Sequence, residues 1–152
     1  MKKIVFCLVA LLLFAGTAFG QRGLNCYPVF RGKIVPTKQM ITTEVRGGSM
    51  ATYKLDYYRG ITFQADTTTA VKIAAMVEAD AGAAVSCETE KTGDLLTYAL
   101  IELRPDRKIN RYLCYQARSN GYAWMVTILY LEGIATLEDL HSMFEKQASK
   151  EK

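Results

Sequence analysis

Hydrophobic and polar positions divide this 152-residue chain into segments of different period. Met1, Lys2 and Lys3 precede an uncharged apolar run from Ile4 to Ala15. That run is shorter than the ~20 residues a membrane span needs. A basic start, an apolar stretch and then small residues is the layout of a cleavable secretory signal. Ala18-Phe19-Gly20 places small residues at the two positions a signal peptidase reads. Cleavage is therefore expected after Gly20, with Gln21 as the mature N-terminus. A buried N-terminal helix is the alternative, and the layout fits it less well. Lipid attachment needs a cysteine directly after a small residue at the end of the run. Cys7 lies inside the run after Phe6, and Cys26 lies beyond it after Asn25. No membrane anchor is expected in the mature form.

Residues 21–38 carry no period. Pro28, Gly32 and Pro36 interrupt them, so they read as an extended lead-in. The β-branched run Ile41, Thr42, Thr43 and Val45 predicts a strand over Gln39 to Arg46, ended by Gly47-Gly48. Ser49 is a candidate cap for a helical turn over Met50 to Tyr57, where a strand reading competes. Arg59 to Ala65 reads as a strand with Ile61 and Phe63 on one face. Asp66 is an N-cap candidate. Behind it Ala70, Ile73, Ala74, Val77 and Ala81 recur at helical spacing, with Lys72, Glu78 and Asp80 off the stripe. Gly82 suits a left-handed helix end.

The period then changes from about 3.6 to 2. Ala84 to Glu90, Leu95 to Arg104, Ile109 to Arg118 and Tyr122 to Leu131 read as successive strands. The turns between them are Lys91–Asp94, Pro105-Asp106 and the hairpin signal Asn120-Gly121. Along the second strand, Leu95, Thr97, Ala99, Ile101 and Leu103 share a face. The last strand is apolar on both faces except at Thr127, which predicts a central, doubly covered position. Thr136 then caps a helix with Glu138 and Asp139 in its first turn and Leu137, Leu140, Met143 and Phe144 as its buried stripe. The fold class is α+β: an antiparallel meander sheet of about four or more strands, with two principal helices packed on one face. Residues 39–147 form the single domain, and residues 148–152 read as a disordered tail.

Charge excludes one class of partner. The chain has 19 basic and 15 acidic residues; without Lys2 and Lys3 the count is 17 against 15, a net charge of +2. With no basic stripe, nucleic acid is not an expected partner. The mature cysteines are Cys26, Cys87 and Cys114, an odd number without a CxxC pair. At least one thiol stays unpaired. Cys87 and Cys114 fall on alternate strands of the meander, beyond disulfide reach. Cys26 with Cys87 or Cys114 is the pairing left open.

Candidate chemistry is sparse. His141 is the one histidine, so no His-rich metal site is possible, but it is a candidate base for a nearby nucleophile. Glu78 with Asp80, Glu88 with Glu90, and Glu138 with Asp139 are carboxylate pairs in patterns that read as solvent-facing or capping. No GxSxG elbow is present, and Gly47-Gly48 lacks the lysine of a phosphate loop. Tyr112, Tyr115, Tyr122 and Trp124 flank the Asn120-Gly121 hairpin and are candidate ligand-binding aromatics, with cross-strand packing as the competing reading. Arg104, Arg107, Lys108 and Arg111 make a basic corner suited to an acidic glycan or partner, with a solvated loop as its competitor. No cofactor and no metal are expected.

The stretch "LEGIATLEDL", Leu131 to Leu140, together with the two preceding strands, resembles a family of small exported proteins of unknown function from Bacteroides-type gut bacteria. The likeness runs more weakly through "YRGITF", Tyr58 to Phe63, back to Arg46. It implies the fold and an envelope setting, and it transfers no catalytic residue. The expected product is a periplasmic or secreted, non-catalytic binding or protein-interaction module whose partner is an envelope protein or a glycan. The alternatives are a carbohydrate-binding accessory protein using the hairpin aromatics, and a small hydrolase using His141. An odd thiol and an exposed sheet edge both permit dimers.

Overall fold

The computed structural model describes residue 21 and residues 23–151. Residues 1–20, with the expected signal, Cys7 and the expected cleavage position after Gly20, lie outside the described residues. Along the chain come α1 (Tyr27–Phe30), β1 (Ile41–Arg46), β2 (Leu55–Ala65), α2 (Thr67–Gly82), β3 (Ser86–Thr92), β4 (Leu95–Asp106), β5 (Ile109–Ser119), β6 (Trp124–Gly133) and α3 (Leu137–Lys150). Short 3-10 turns occupy Thr37–Gln39 and Gly47–Tyr53.

All six strands form one antiparallel sheet in the order β1-β2-β6-β5-β4-β3. The meander β3 to β6 is local, but β6 returns to pair with β2, far back in sequence. That places β6 centrally, between β2 and β5, and explains its apolar character on both faces. The bound α+β class and the antiparallel sheet agree with the sequence pattern.

The helices do not share a face. On the first face, Ile61, Phe63, Ile101, Leu113, Tyr115, Val126 and Ile128 pack with Ala70, Ile73, Ala74 and Val77 of α2. On the second, Leu100, Tyr112, Cys114 and Leu131 pack with Leu140 and Met143 of α3. Side chains alternate along β5 and β6, so neighbouring apolar residues feed opposite clusters. Both faces of the central strands are apolar, and each therefore needs a cover of its own. The placement of both helices on one face is corrected accordingly.

Residues 21–38 are not an extended lead-in. Leu24, Cys26, Val29, Phe30 and Val35 are buried in the first-face cluster. A carboxylate of α2 holds this segment down. Asp80, 4 % exposed, accepts from the backbone N–H groups of Asn25 at 2.6 Å and Cys26 at 3.0 Å, and from the Asn25 amide. Asp80 reads from the helical pattern as solvent-facing; it is buried because it satisfies backbone donors that would otherwise be stranded in the core. Gln21 adds a second tie. Its amide donates to the Tyr57 hydroxyl at 3.1 Å and accepts from Arg59 at 2.9 Å.

Local signals set most element ends. Asp66 accepts from the Thr69 N–H at 2.7 Å, and that bond holds its carboxyl below the usual carboxylate range. Thr136 and Asp139 form a reciprocal capping box. Several turns depart from the sequence pattern. Gly82 does not adopt a positive φ; α2 simply ends there. Pro105 sits in a register irregularity between Leu103 and Asp106, where a missing N–H is tolerated, and the turn falls on Arg107 and Lys108. The β5–β6 loop spans Asn120 to Ala123, closed by Asn120 Oδ1 accepting from the N–H groups of Tyr122 and Ala123. The helix α3 runs through to Lys150, so the segment read as a disordered tail is mostly helical.

Candidate functional site

The connection from β6 into α3 decides how much of the second face is covered. The Ala135 carbonyl accepts from the Tyr112 hydroxyl at 2.7 Å and from the Asn110 amide at 3.0 Å, while its N–H donates to the Lys54 carbonyl at 3.0 Å. Further along, α3 is tied at two sides. Asp139 pairs with Lys54 at 3.1 Å, and His141 Nε2 lies 3.0 Å from Glu88 Oε1 on β3. So directed, the helix covers one half of the face through Leu140 and Met143.

The other half carries a line of polar side chains. Thr62, Thr127, Gln116, Tyr98 and Glu90 stand directly opposite one another across five adjacent strands. At ~4.8 Å per strand, such a row presents hydrogen-bonding groups at regular intervals. The Thr62 and Thr127 hydroxyls are 3.1 Å apart. The Gln116 amide, oriented with its oxygen toward Arg118, accepts from that guanidinium at 3.0 and 3.3 Å. Between this row and the end of α3 lies a cavity of about 260 Å3. Gln116, Thr127, Tyr98, Leu129 and Cys114 line its floor, and Phe144 and Gln147 of α3 form its wall.

A backbone irregularity extends the depression. Glu90 pairs with Tyr98, but Lys91 pairs with Leu96, so Thr97 is an extra residue in β4. Its hydroxyl bonds back to the Glu90 carbonyl at 3.3 Å. This bulge explains why Leu96, rather than Thr97, joins Ala99, Ile101 and Leu103 on the first face. It also ends the β4–β5 ladder at Tyr98 and Gln116, whereas β5 stays paired with β6 as far as Ser119 and Trp124. The parted strands leave a second, open cavity of about 500 Å3 edged by Glu90, Thr97, Arg118, Ser119 and Trp124. Tyr98 and Gln116 line both cavities, so the two adjoin.

Every side chain lining the smaller cavity is uncharged. Burial pushes the Cys114 thiol up to about 12, and burial is also the main cause that raises the Tyr98 phenol. Both groups keep their protons at neutral pH, and neither is an activated nucleophile. The arrangement offers amide and hydroxyl hydrogen bonds beside an apolar wall.

The aromatic residues singled out by sequence are separated. Tyr112 and Tyr115 are buried on opposite faces, Tyr122 is 99 % exposed at the tip of the β5–β6 loop, and Trp124 is half-buried at the edge of the larger cavity. Of the basic corner, Arg104, Arg107 and Lys108 are exposed at the β4–β5 turn. Arg111 turns to the first face, where it donates to the Tyr130 hydroxyl at 2.9 Å. The three thiols are free. Cys26 belongs to the first-face cluster and Cys114 to the second, so the sheet stands between them and the Cys26–Cys114 pairing is excluded. Cys87 is exposed on the edge strand β3.

The carboxylate pairs are dispersed into structural contacts. Glu78 pairs with Lys91 at 2.8 Å, Asp80 anchors the N-terminal segment, Glu88 meets His141, and Asp139 caps α3. Among the described residues, no cluster of three or more His, Cys, Asp or Glu side chains could hold a metal ion, and no helix is long and apolar enough to cross a membrane.

Gln116, Tyr98, Phe144 and Gln147 carry no sequence signal of a site. Thr127 does: it is the one polar interruption in an otherwise apolar central strand. A model of DUF6108, described as a family of unknown function, matches residues 13–144. No curated protein and no solved structure matches the chain.

Proposed function

We propose a non-catalytic binding role for this chain, which belongs to the DUF6108 family of unknown function, with the depression beside α3 as its ligand site. The observation that carries the reading is the polar row Thr127–Gln116–Tyr98, set beneath a cavity that α3 walls but does not fill. The row is held in order by its own bonds, Thr62 with Thr127 and Gln116 with Arg118, and its groups keep further donors and acceptors for a ligand. Here the row faces an opening large enough to admit a ligand group. His141 lies against the Glu88 carboxylate, a contact that braces α3 against β3. Export completes the proposal. The basic, apolar and small order of residues 1–20 supports a setting in the envelope or outside the cell.

The test compares the tagged protein with a Thr127→Phe variant, whose ring fills the cavity. Each is incubated with envelope extract, and bound small molecules and glycans are identified by mass spectrometry. A compound retained by the natural chain and lost by the variant supports the site. Equal recovery on both would sink it. N-terminal sequencing of protein recovered from the periplasm or medium is expected to begin at Gln21.

A further inference from the structure

We infer that the ligand of this depression is a neutral saccharide, one ring of which seats in the smaller cavity against Phe144. The inference rests on the binding role proposed above and names the chemistry that fills it.

Charge argues first. The smaller cavity presents no ionised side chain. A carboxylate or ammonium group entering it would lose water without gaining a counter-charge. Ionic ligands are thereby disfavoured at this end. The charged groups Glu90 and Arg118 stand only at the rim, in the wider cavity. Arg118 is already engaged by the Gln116 oxygen.

Shape and polarity argue second. A sugar ring has an apolar C–H face and a hydroxyl-studded edge. The cavity has the complementary pair of surfaces. Phe144 and Leu129 supply apolar contact, while Gln116, Thr127 and Gln147 supply amide and hydroxyl groups able to donate or accept. With its oxygen taken by Arg118, the Gln116 amide offers its N–H groups to a ligand oxygen. A purely apolar ligand would leave those polar groups unsatisfied. A ligand of hydroxyls alone would gain nothing from the Phe144 face.

Continuity argues third. The wider cavity adjoins the smaller one at Tyr98 and Gln116 and extends between the parted ends of β4 and β5 to the edge of the half-buried Trp124, whose ring packs against the first-face cluster. A second ring of the same chain can follow that path toward an aromatic surface. Part of the ligand is thus recognised as a neutral ring and the remainder as an extension toward the sheet end.

The test begins by screening the protein, purified from cells expressing the full chain, against an array of neutral and anionic glycans. The neutral trisaccharide that scores highest is then titrated while amide resonances are followed by NMR. Shifts are expected at Gln116, Thr127 and Phe144. Phe144→Ala is expected to weaken binding about tenfold through loss of the ring face, and Thr127→Val about fivefold through loss of one hydroxyl. Both variants should retain the far-UV and near-UV circular dichroism of the natural chain. Failure to bind any neutral glycan, or tighter binding of anionic counterparts, overturns the saccharide assignment. If uncharged peptides shift the same resonances while glycans do not, the site stands and the saccharide falls. If glycans bind with shifts confined to Tyr122 and the basic turn, the site itself is wrong.

Discussion

Asp80, in the last turn of α2, accepts a hydrogen bond from the backbone N–H of Cys26, fifty-four residues earlier in the chain. Through this contact a helix on the first face fixes a segment that has no regular structure beyond one short turn. Removing the carboxylate strands buried backbone donors while leaving the apolar contacts in place. Asp80→Ala is therefore expected to destabilise the protein by about 3 kcal/mol. Urea unfolding of the two proteins measures it. A change below about 0.5 kcal/mol, the scatter of an ordinary surface substitution, would show that the N-terminal segment is not held this way.

The thiols report the same arrangement chemically. Cys87 is exposed, whereas Cys26 and Cys114 are buried on opposite sides of the sheet, and burial raises both of their thiols. In the folded protein beginning at Gln21, one thiol should react rapidly with an aromatic disulfide reagent. After unfolding in guanidinium without reductant, three should react. Two or fewer in the unfolded protein would reveal a disulfide.

Two glycines separate crowding by side chain from crowding by backbone. A Cβ on Gly60 would meet the ends of two side chains, Leu129 Cδ2 at 2.9 Å and the Tyr58 hydroxyl at 3.0 Å. On Gly133 it would meet backbone atoms, among them Leu55 Cα at 2.6 Å. Side-chain ends can turn aside; the paired β2 backbone cannot. Gly60→Ala should cost about 1 kcal/mol, and Gly133→Ala about 3 kcal/mol or the fold itself. Thermal unfolding ranks the two, and equal losses would contradict the difference.

The α3 cap carries a pH dependence. Backbone and side-chain bonds from Thr136, with an ion pair from Lys54, hold the Asp139 carboxyl below its ordinary value. Its folded pKa is thus lower than its unfolded one. The stabilisation is fully present above the unfolded value of ~4 and fades as pH falls through the folded value. Asp139→Asn should lower the melting temperature at pH 7 and do so much less at pH 2.5. A difference unchanged between the two pH values would remove the carboxylate from the account. Thr136→Ala, which deletes the reciprocal half of the box, should cost about 1 kcal/mol.

What could be read along the sequence was whatever neighbours in sequence determine. Asp66 and Thr136 announce their helices because a cap and the N–H groups it satisfies lie within one turn. The four meander strands show because alternation needs no partner to be visible. Contacts set by distant residues were hidden. Asp80 reads as an outward residue until the Asn25 and Cys26 N–H groups are brought beneath it. Thr97 reads as an inward residue until pairing with β3 makes it the bulge. The sides taken by α2 and α3 depend on connections rather than on stripes, since both faces of the central strands carry apolar residues. Of the candidate site, Tyr115 and Trp124 stand out in the sequence as hairpin aromatics, and Thr127 as a hydroxyl where a central strand has no other polar group. Tyr98, Gln116 and Phe144 are ordinary residues in ordinary patterns, and only the register aligns them.

The return of β6 to pair with β2 also orders events as the chain folds. Thr62 and Thr127, opposite each other in the finished sheet, are 65 residues apart. The β1–β2 hairpin emerges first yet has its inner edge open until nearly the whole domain has followed. The meander from β3 to β6 can assemble from local contacts, but closing the long loop to β2 is the entropically costly and slow step. Until then both the early hairpin and the late meander expose unpaired strand edges, a condition that favours pairing with other chains. The interval between the appearance of β2 and that of β6 is accordingly when a nascent chain most needs a chaperone, on whichever side of the membrane it folds.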